Sequence, residues 1–231
     1  MSYKQSTFAL FLIASASLLL SSEVLAHNVS QEDAELIAGA SGWQFLLYTW
    51  LGAKHMVTGY DHLLFLVGVI FYLRNLRAVA IFVSLFALGH SITLIGGVLF
   101  RLDVDPYLVD AIIGLSVAYK GFDNLGGFKQ VFGDSPDEKV AVLIFGLFHG
   151  LGLATKLQDL GLEKDGLLAN LVSFNLGVEL GQLTALIGIV FLLRLLSDPV
   201  QGSRLGTAAN IFLLVSGFAL MAYQLTQYLQ A

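Results

Sequence analysis

Four histidines of this chain lie inside apolar stretches, where an ionisable side chain is costly. They are His55, His62, His90 and His149. Ionisable residues at bilayer depth are rare and generally mark a functional site. Imidazole is also the commonest protein ligand for metal ions. The positions of these histidines therefore predict a metal path through a membrane.

The first histidine pair falls within an eight-residue segment that also contains Gly59 and Asp61. In a straight helix His55 and His62 share a face but lie about 10 Å apart along the axis, which is long for one ion. Either Gly59 bends the chain, or the two histidines serve successive steps. Asp61 either binds the metal or orients an imidazole by a hydrogen bond. The alternative is a polar cluster that hydrates the start of a span.

The other two histidines stand alone among apolar and small residues. His90 is followed by Ser91 and Thr93, and His149 by Gly150 and Gly152. A lone histidine on an apolar helix is often a hydrogen-bonded packing residue, and glycines allow close packing of membrane helices. Both a metal-binding role and a packing role stay open for these two residues.

A carboxylate lies near the middle of the fifth predicted span. Asn175, Glu179 and Gln182 follow i, i+4, i+7 spacing, which predicts that they share one helix face. Glu179 has no basic neighbour in its span, so it must be protonated, paired with a histidine or bound to a cation. We predict that Glu179 joins His90 and His149 in a central site, with Asn175 and Gln182 as polar residues of the pathway.

The third predicted span ends in a polar group. Lys120 and Asp123 are three residues apart, a spacing that favours a structural ion pair on one helix face. Alternatively, Asp123 and the adjacent Asn124 are polar ligands at the exit of the pathway.

The composition limits the class of protein. The chain has 231 residues, of which 56% are hydrophobic and 13% charged, whereas soluble domains carry about 25% charged residues. This predicts an all-α, polytopic membrane bundle. The net charge of −5 gives no basic surface for nucleic acid, and no nucleotide-binding motif is present. Because the chain has no cysteine, its ligands are nitrogen and oxygen, which suit nickel, cobalt or zinc better than Cu(I). No permanent cofactor is expected.

The amino terminus resembles a secretory signal. Lys4 precedes an apolar run from Phe8 to Leu20, and Ala26 ends a passable cleavage site. Cleavage after residue 26 would make His27 the first residue and a candidate ligand at the entrance. An uncleaved first helix is the alternative. Residues 27–42 predict a short external segment, and residues 43–231 a transmembrane bundle.

About 20 apolar residues cross a bilayer, and by this measure the mature chain has six spans. The aromatic segment 43–57 is either an interfacial helix or the outer part of the first span. The distribution of lysine and arginine between the loops predicts an external amino terminus in the inner membrane. The predicted spans are 55–73, 77–100, 107–126, 139–158, 167–195 and 205–228.

These motifs resemble those of the HupE/UreJ family. His55, Gly59, Asp61 and His62 match its H-P-x-x-G-x-D-H motif, with Met56 in place of the proline. The run D-H-L-L-F that follows is closer to the second branch of the family. The similarity covers roughly residues 43–228. Further matches, in chain order, are residues 90–94 (H-S-I-T-L), 123–124 (D-N), 149–152 (H-G-L-G) and 174–182 (F-N-L-G-V-E-L-G-Q).

The family consists of membrane accessory proteins linked to hydrogenase and urease and regarded as nickel or cobalt permeases. The resemblance implies that this chain is a permease for a divalent metal ion. The ion would bind His55, Asp61 and His62 at the outer mouth and then pass to the central site at Glu179. One alternative is an intramembrane zinc enzyme with Glu179 as general base, although no H-E-x-x-H is present. Another is a metal-delivery or sensor protein without transport.

Overall fold

A computed structural model describes residues 31–70, 76–159, 164–195 and 203–231. Within these ranges the chain is helical and contains no strand, which confirms the all-α prediction. The predicted signal peptide and His27 lie outside the described residues. The helices are α1 (Gln31–Ala38), α2 (Phe45–Thr58), α3 (Tyr60–Ile70), α4 (Leu76–Phe100), α5 (Pro106–Asn124), α6 (Gly127–Phe132), α7 (Glu138–Asp159), α8 (Leu167–Leu195) and α9 (Arg204–Gln230).

Four of the described helices, α4, α7, α8 and α9, are long and apolar enough to cross a membrane. Helix α5 has 19 residues and contains Asp110, Lys120 and Asp123. Asp105 directly precedes it, and its carboxylate accepts hydrogen bonds from the amides of Tyr107 and Leu108 and so caps the helix. The total of six spans stays a prediction.

The segment predicted as the first span, 55–73, is not one continuous helix in its described part, 55–70. The structure has two shorter helices here, α2 with 14 residues and α3 with 11 residues, which meet at Gly59. Gly59 has extended backbone angles, φ −72° and ψ 102°, so the helix is interrupted at this residue. The segment 45–70 is long enough to cross a bilayer as one discontinuous helix. Most of segment 43–57 lies in α2, and both interpretations of it, an interfacial helix or the outer part of the first span, stay predictions.

The break lies near the middle of the bundle. Helices α2 and α8 run in the same direction, because Gln44 bonds to Asn170 at their starts and Met56 lies against Gly181 further along. Gly181 is near the midpoint of α8, so α2 ends about halfway along it. Helix α3 continues to the other end, where the carbonyl of Gly68 accepts a hydrogen bond from Asn124.

Glycines allow three helix pairs to pack closely. A side chain at Gly52 on α2 would collide with the carbonyl of Phe174 on α8, and one at Gly146 on α7 with the carbonyl of Phe86 on α4. Gly121 on α5 is packed in the same way against the backbone of α9. Small residues at helix interfaces are typical of membrane bundles. The resulting core holds the functional side chains described next.

Candidate metal centre

Four histidines from four helices converge on one cluster, with His62 at its centre. His62, His90 and His149 are fully buried, and His55 is half-buried. The cluster lies near the middle of α4 and α7. The centroid of the His62 ring is 5.0 Å from that of His55, 4.9 Å from that of His149 and 6.2 Å from that of His90.

The break at Gly59 is what brings the first two histidines together. A straight helix would separate them by about 10 Å along its axis, whereas their ring centroids are 5.0 Å apart. Of the two interpretations that the sequence left open, the structure shows the bend. A Cβ atom at Gly59 would lie 2.7 Å from His62 Nδ1 and 3.0 Å from the His55 carbonyl oxygen, so the bend has no room for a side chain.

We expect Gly59→Ala to lower the affinity for Ni²⁺ by about tenfold, because the new methyl group displaces His62 from its neighbours. The matched control is Gly188→Ala on α8, where a Cβ atom meets nothing within 4 Å. Equilibrium Ni²⁺ binding to the two purified variants measures the difference. Equal affinities would show that the geometry of the break does not position the ligands.

The other two histidines are brought together by the packing of α4 against α7. A side chain at Gly150 would collide with the backbone carbonyl of His90, so the glycine lets α7 approach α4 at this level. His149 Nδ1 lies 2.7 Å from the carbonyl oxygen of Phe145. Because a carbonyl only accepts, Nδ1 carries the proton and donates it. In the neutral ring Nε2 then keeps the lone pair that a metal ion requires.

The carboxylate of the cluster is Asp61, which is 1% exposed. Its Oδ1 atom lies 3.2 Å from Nδ1 of His62. A carboxylate at this distance can orient the imidazole and raise its basicity, or it can bind the metal itself. It also supplies negative charge at a buried position where a cation would otherwise be poorly stabilised.

Two overlapping groups have the composition of a metal site. The first consists of His55, His62 and His90, and the second of Asp61, His62 and His149. Within each group the candidate ligand atoms lie within 4.8 Å of one another. Nitrogen and oxygen ligands bind transition metals at about 2.0–2.2 Å, so small side-chain movements would close either group around an ion. His62 belongs to both groups.

This arrangement differs from the sequence prediction in two respects. The predicted outer site and central site form one cluster, because His55 and His62 lie at mid-bundle and not at a mouth. Glu179 is exposed on the outside of the bundle and belongs to neither group. Asn175 and Gln182 are buried, so the predicted shared face is buried only in part, with Glu179 at its exposed edge.

The predicted pathway residues lie on two sides of the cluster. Asn175 accepts a hydrogen bond of 3.1 Å from Ser91. Gln182 is fully buried, and its amide has no hydrogen-bond partner among the described residues. At the far end of the bundle Lys120 pairs with Asp123 at 2.8 Å, which confirms the predicted ion pair. Asn124 donates to Asn210 and to the carbonyl of Gly68. Their role in a pathway stays a prediction.

An aromatic layer separates the histidines from Lys120. The ring centroid of Phe86 lies 4.9 Å from that of His149, and Phe65 lies 5.4 Å from Phe86 and 5.7 Å from Phe145. Phe65 and Phe145 also line a small cavity beside Lys120. A charged ion is poorly stabilised among such rings unless ligands accompany it. The cluster is therefore closed toward this end in the described arrangement.

The opposite end contains two residues that the sequence reading did not select as ligands. Lys54 Nζ lies 2.8 Å and 3.0 Å from the two carboxylate oxygens of Asp33. Both residues line a cavity of about 40 Å³ that reaches His55. Twenty-one residues separate the partners along the chain. No local motif links them, because α1 folds back onto α2 only in the tertiary structure.

The fold and the cluster together define a class: a polytopic membrane protein with a buried histidine and carboxylate centre at a broken helix. Residues 31–231 match the family model described as HupE / UreJ protein. This chain therefore belongs to the HupE/UreJ family, as its motifs predicted. The comparisons with curated proteins and with solved structures gave no match.

Proposed function

We propose that this chain is a secondary permease for a divalent transition metal, nickel first and cobalt next, that supplies the maturation of metalloenzymes. One observation carries the proposal: four histidines and Asp61 converge at a break in a helix near the middle of the bundle. Membership of a family linked to nickel and cobalt uptake supports it.

The chemistry of the ligands favours this substrate class. Imidazole and carboxylate suit nickel, cobalt and zinc. A chain without cysteine offers no thiolate, which copper(I) prefers. Broken helices are also typical of the binding sites of secondary transporters, where irregular backbone lines the substrate path at mid-membrane. The ion is cargo in this account and not a resident cofactor.

The shared position of His62 suggests how an ion moves. It binds first to His55, His62 and His90, because His55 lines the cavity at the α1 end. It then exchanges two ligands for Asp61 and His149 while His62 stays bound. Because His62 stays bound throughout the exchange, the ion is never without a ligand in the apolar interior, where a bare charge would be costly. Movement of Phe65, on the same helix as His62, would then open the far end.

The direction of transport follows from the proposed orientation in the inner membrane, with the amino terminus outside. The ion enters at the α1 end, with His27 as a candidate ligand before the described residues begin. It leaves past Asp123 and Asn124, and Gln182 is the candidate polar residue along α8. With no nucleotide-binding motif in the sequence, the driving force is an ion gradient or the membrane potential.

Acid is expected to inhibit uptake. Imidazoles must be neutral to bind a metal ion, so protons compete with the metal for these ligands. We expect Ni²⁺ entry into proteoliposomes to be slower at acid pH than at neutral pH. The internal and external pH are matched at each point to remove any proton gradient. A flat profile would contradict imidazole ligation.

Two other functions fit the same cluster less well. A zinc enzyme needs an open coordination position for water and a general base. Glu179, the residue predicted for that role, is exposed and outside both ligand groups. A delivery or sensor protein would bind the metal without moving it. Metal flux across a sealed membrane separates a permease from both alternatives, and it is the experiment that tests this proposal.

A further inference from the structure

The cavity at the α1 end reaches the cluster at His55. It has a volume of about 40 Å³, which is enough for an ion with a water molecule. Its wall includes His55, the least buried of the four histidines, together with Thr58, Asp33 and Lys54. The same cavity therefore brings a carboxylate, an ammonium and the first imidazole together along its wall.

The ammonium of Lys54 forms an ion pair with the carboxylate of Asp33. Nζ lies 2.8 Å and 3.0 Å from the two oxygens, so both are engaged by the same cation. The pair is shielded from water, because the side chains of Asp33 and Lys54 are 13% and 31% exposed. Lys54 directly precedes His55 in α2, which fixes the positive charge close to the first ligand.

We propose that Asp33 is the entrance ligand for the divalent cation, and that Lys54 is a built-in cation that holds its place until the metal displaces it. The inference rests on the proposed function. A divalent ion is attracted to a carboxylate more strongly than a single charge is. The flexible four-carbon stem of lysine lets the ammonium move away while its backbone stays in the helix. The ion then passes from Asp33 to His55.

This role has a signature that a purely structural ion pair lacks. Lys54→Met removes one positive charge beside the carboxylate of Asp33, so the cavity attracts cations more strongly. In Asp33→Asn the ammonium of Lys54 is uncompensated and repels them. Charges lining a cleft change association rates with small ions in this way. The two variants therefore change the association rate in opposite directions. If the ion pair only held α1 against α2, both variants would break it and would change the rate in the same direction.

The test uses Co²⁺ as the probe, because its visible spectrum reports imidazole ligation. Stopped-flow mixing of Co²⁺ with the purified full chain gives the association rate. We expect Lys54→Met to raise this rate about three- to tenfold and Asp33→Asn to lower it by a similar factor. The spectrum of the final complex stays unchanged, since the histidine ligands are intact. Asp33→Glu, which keeps the charge, retains the wild-type rate.

A second ion pair at the same end of the bundle is the matched control. Lys156 Nζ lies 2.8 Å from Asp110, and neither residue lines the cavity. Lys156→Met removes the same charge as Lys54→Met and should leave the Co²⁺ association rate within about twofold of wild type. A thermal melt of each variant shows that the fold persists.

The outcomes test the entrance role of Asp33 separately from the proposed permease function. If the wild type binds Co²⁺ but the two variants change the rate in the same direction, or not at all, the entrance role of Asp33 is wrong and the proposed function stands. If Lys156→Met accelerates binding as much as Lys54→Met does, general charge and not the cavity explains the effect. A wild type that gives no cobalt–imidazole spectrum would overturn the metal site and the entrance ligand together.

Discussion

His62→Ala is expected to weaken Ni²⁺ binding by more than about 100-fold and to abolish Ni²⁺ flux. His62 is the one residue that belongs to both ligand groups, so its loss removes a ligand before and after the proposed exchange. Loss of residues that only support metal ligands costs about 10–100-fold, and loss of a shared ligand should cost more. Equilibrium binding and uptake by proteoliposomes measure the two effects.

The ranking among the histidines makes this prediction specific. His90→Ala and His149→Ala each remove a ligand from only one group, so each should retain more affinity than His62→Ala. Gln224→Ala is the control for the loss of a buried polar side chain, since Gln224 is 4% exposed on α9 and belongs to neither group. Equal losses in all three histidine variants would show that the histidines act as one site and that the ion does not step between two groups.

Asp61→Asn is expected to reduce Ni²⁺ affinity by about 10–100-fold, whereas Glu179→Gln should leave it within about twofold of wild type. Each substitution replaces a carboxylate by an amide of the same shape. Asp61 is buried against His62, and Glu179 is exposed on the outside of the bundle. The two variants therefore separate a carboxylate that acts on the metal from a carboxylate of α8 that lies outside the cluster.

The contrast is measured by titrating both purified variants with Ni²⁺ under the same conditions. If Glu179→Gln loses affinity and Asp61→Asn does not, the carboxylate of the site is Glu179, as predicted for the central site, and α8 has a different rotation in the membrane. An exposed carboxylate at this depth is unusual, so the effect of Glu179→Gln on stability in lipid should be recorded with its affinity.

Long apolar runs made most of the helices predictable. The spans expected at 77–100 and 167–195 agree closely with Leu76–Phe100 and Leu167–Leu195. In a bilayer each such run must satisfy its own backbone hydrogen bonds, which leaves the helix as its only local solution. Tertiary contacts therefore do little to shift the ends of these elements.

The break at Gly59 could not be located from the sequence alone. The chain has 24 glycines, and most of the glycines that the structure describes lie within helices, where they allow close packing. Whether a glycine interrupts a helix depends on what surrounds it, in this case His55, Asp61 and His62. The position of the first two histidines was mispredicted for the same reason, because the helix that carries His55 begins at Phe45 and ends beside the middle of α8.

The direction of a polar face is also set by packing. The i, i+4, i+7 spacing correctly groups Asn175, Glu179 and Gln182 within one broad sector of α8. It does not say which edge of that sector contacts α4. Ser91 of α4 bonds to Asn175, and this contact turns the side of Asn175 and Gln182 inward while Glu179 stays at the exposed edge. Asp61, in contrast, could be predicted as a site residue because it is adjacent to His62 in the sequence, and this needs no knowledge of the packing.

The most direct test of the permease is metal entry into sealed liposomes that contain the purified chain. Entry of Ni²⁺, Co²⁺ and Zn²⁺ is measured for the wild type and for two variants, with His62→Ala expected to be inactive and Glu179→Gln active. We predict saturable entry of Ni²⁺, with Co²⁺ next, that is lost in His62→Ala and retained in Glu179→Gln. Tight metal binding by the wild type without any flux would contradict the permease and favour a delivery, sensor or enzyme function.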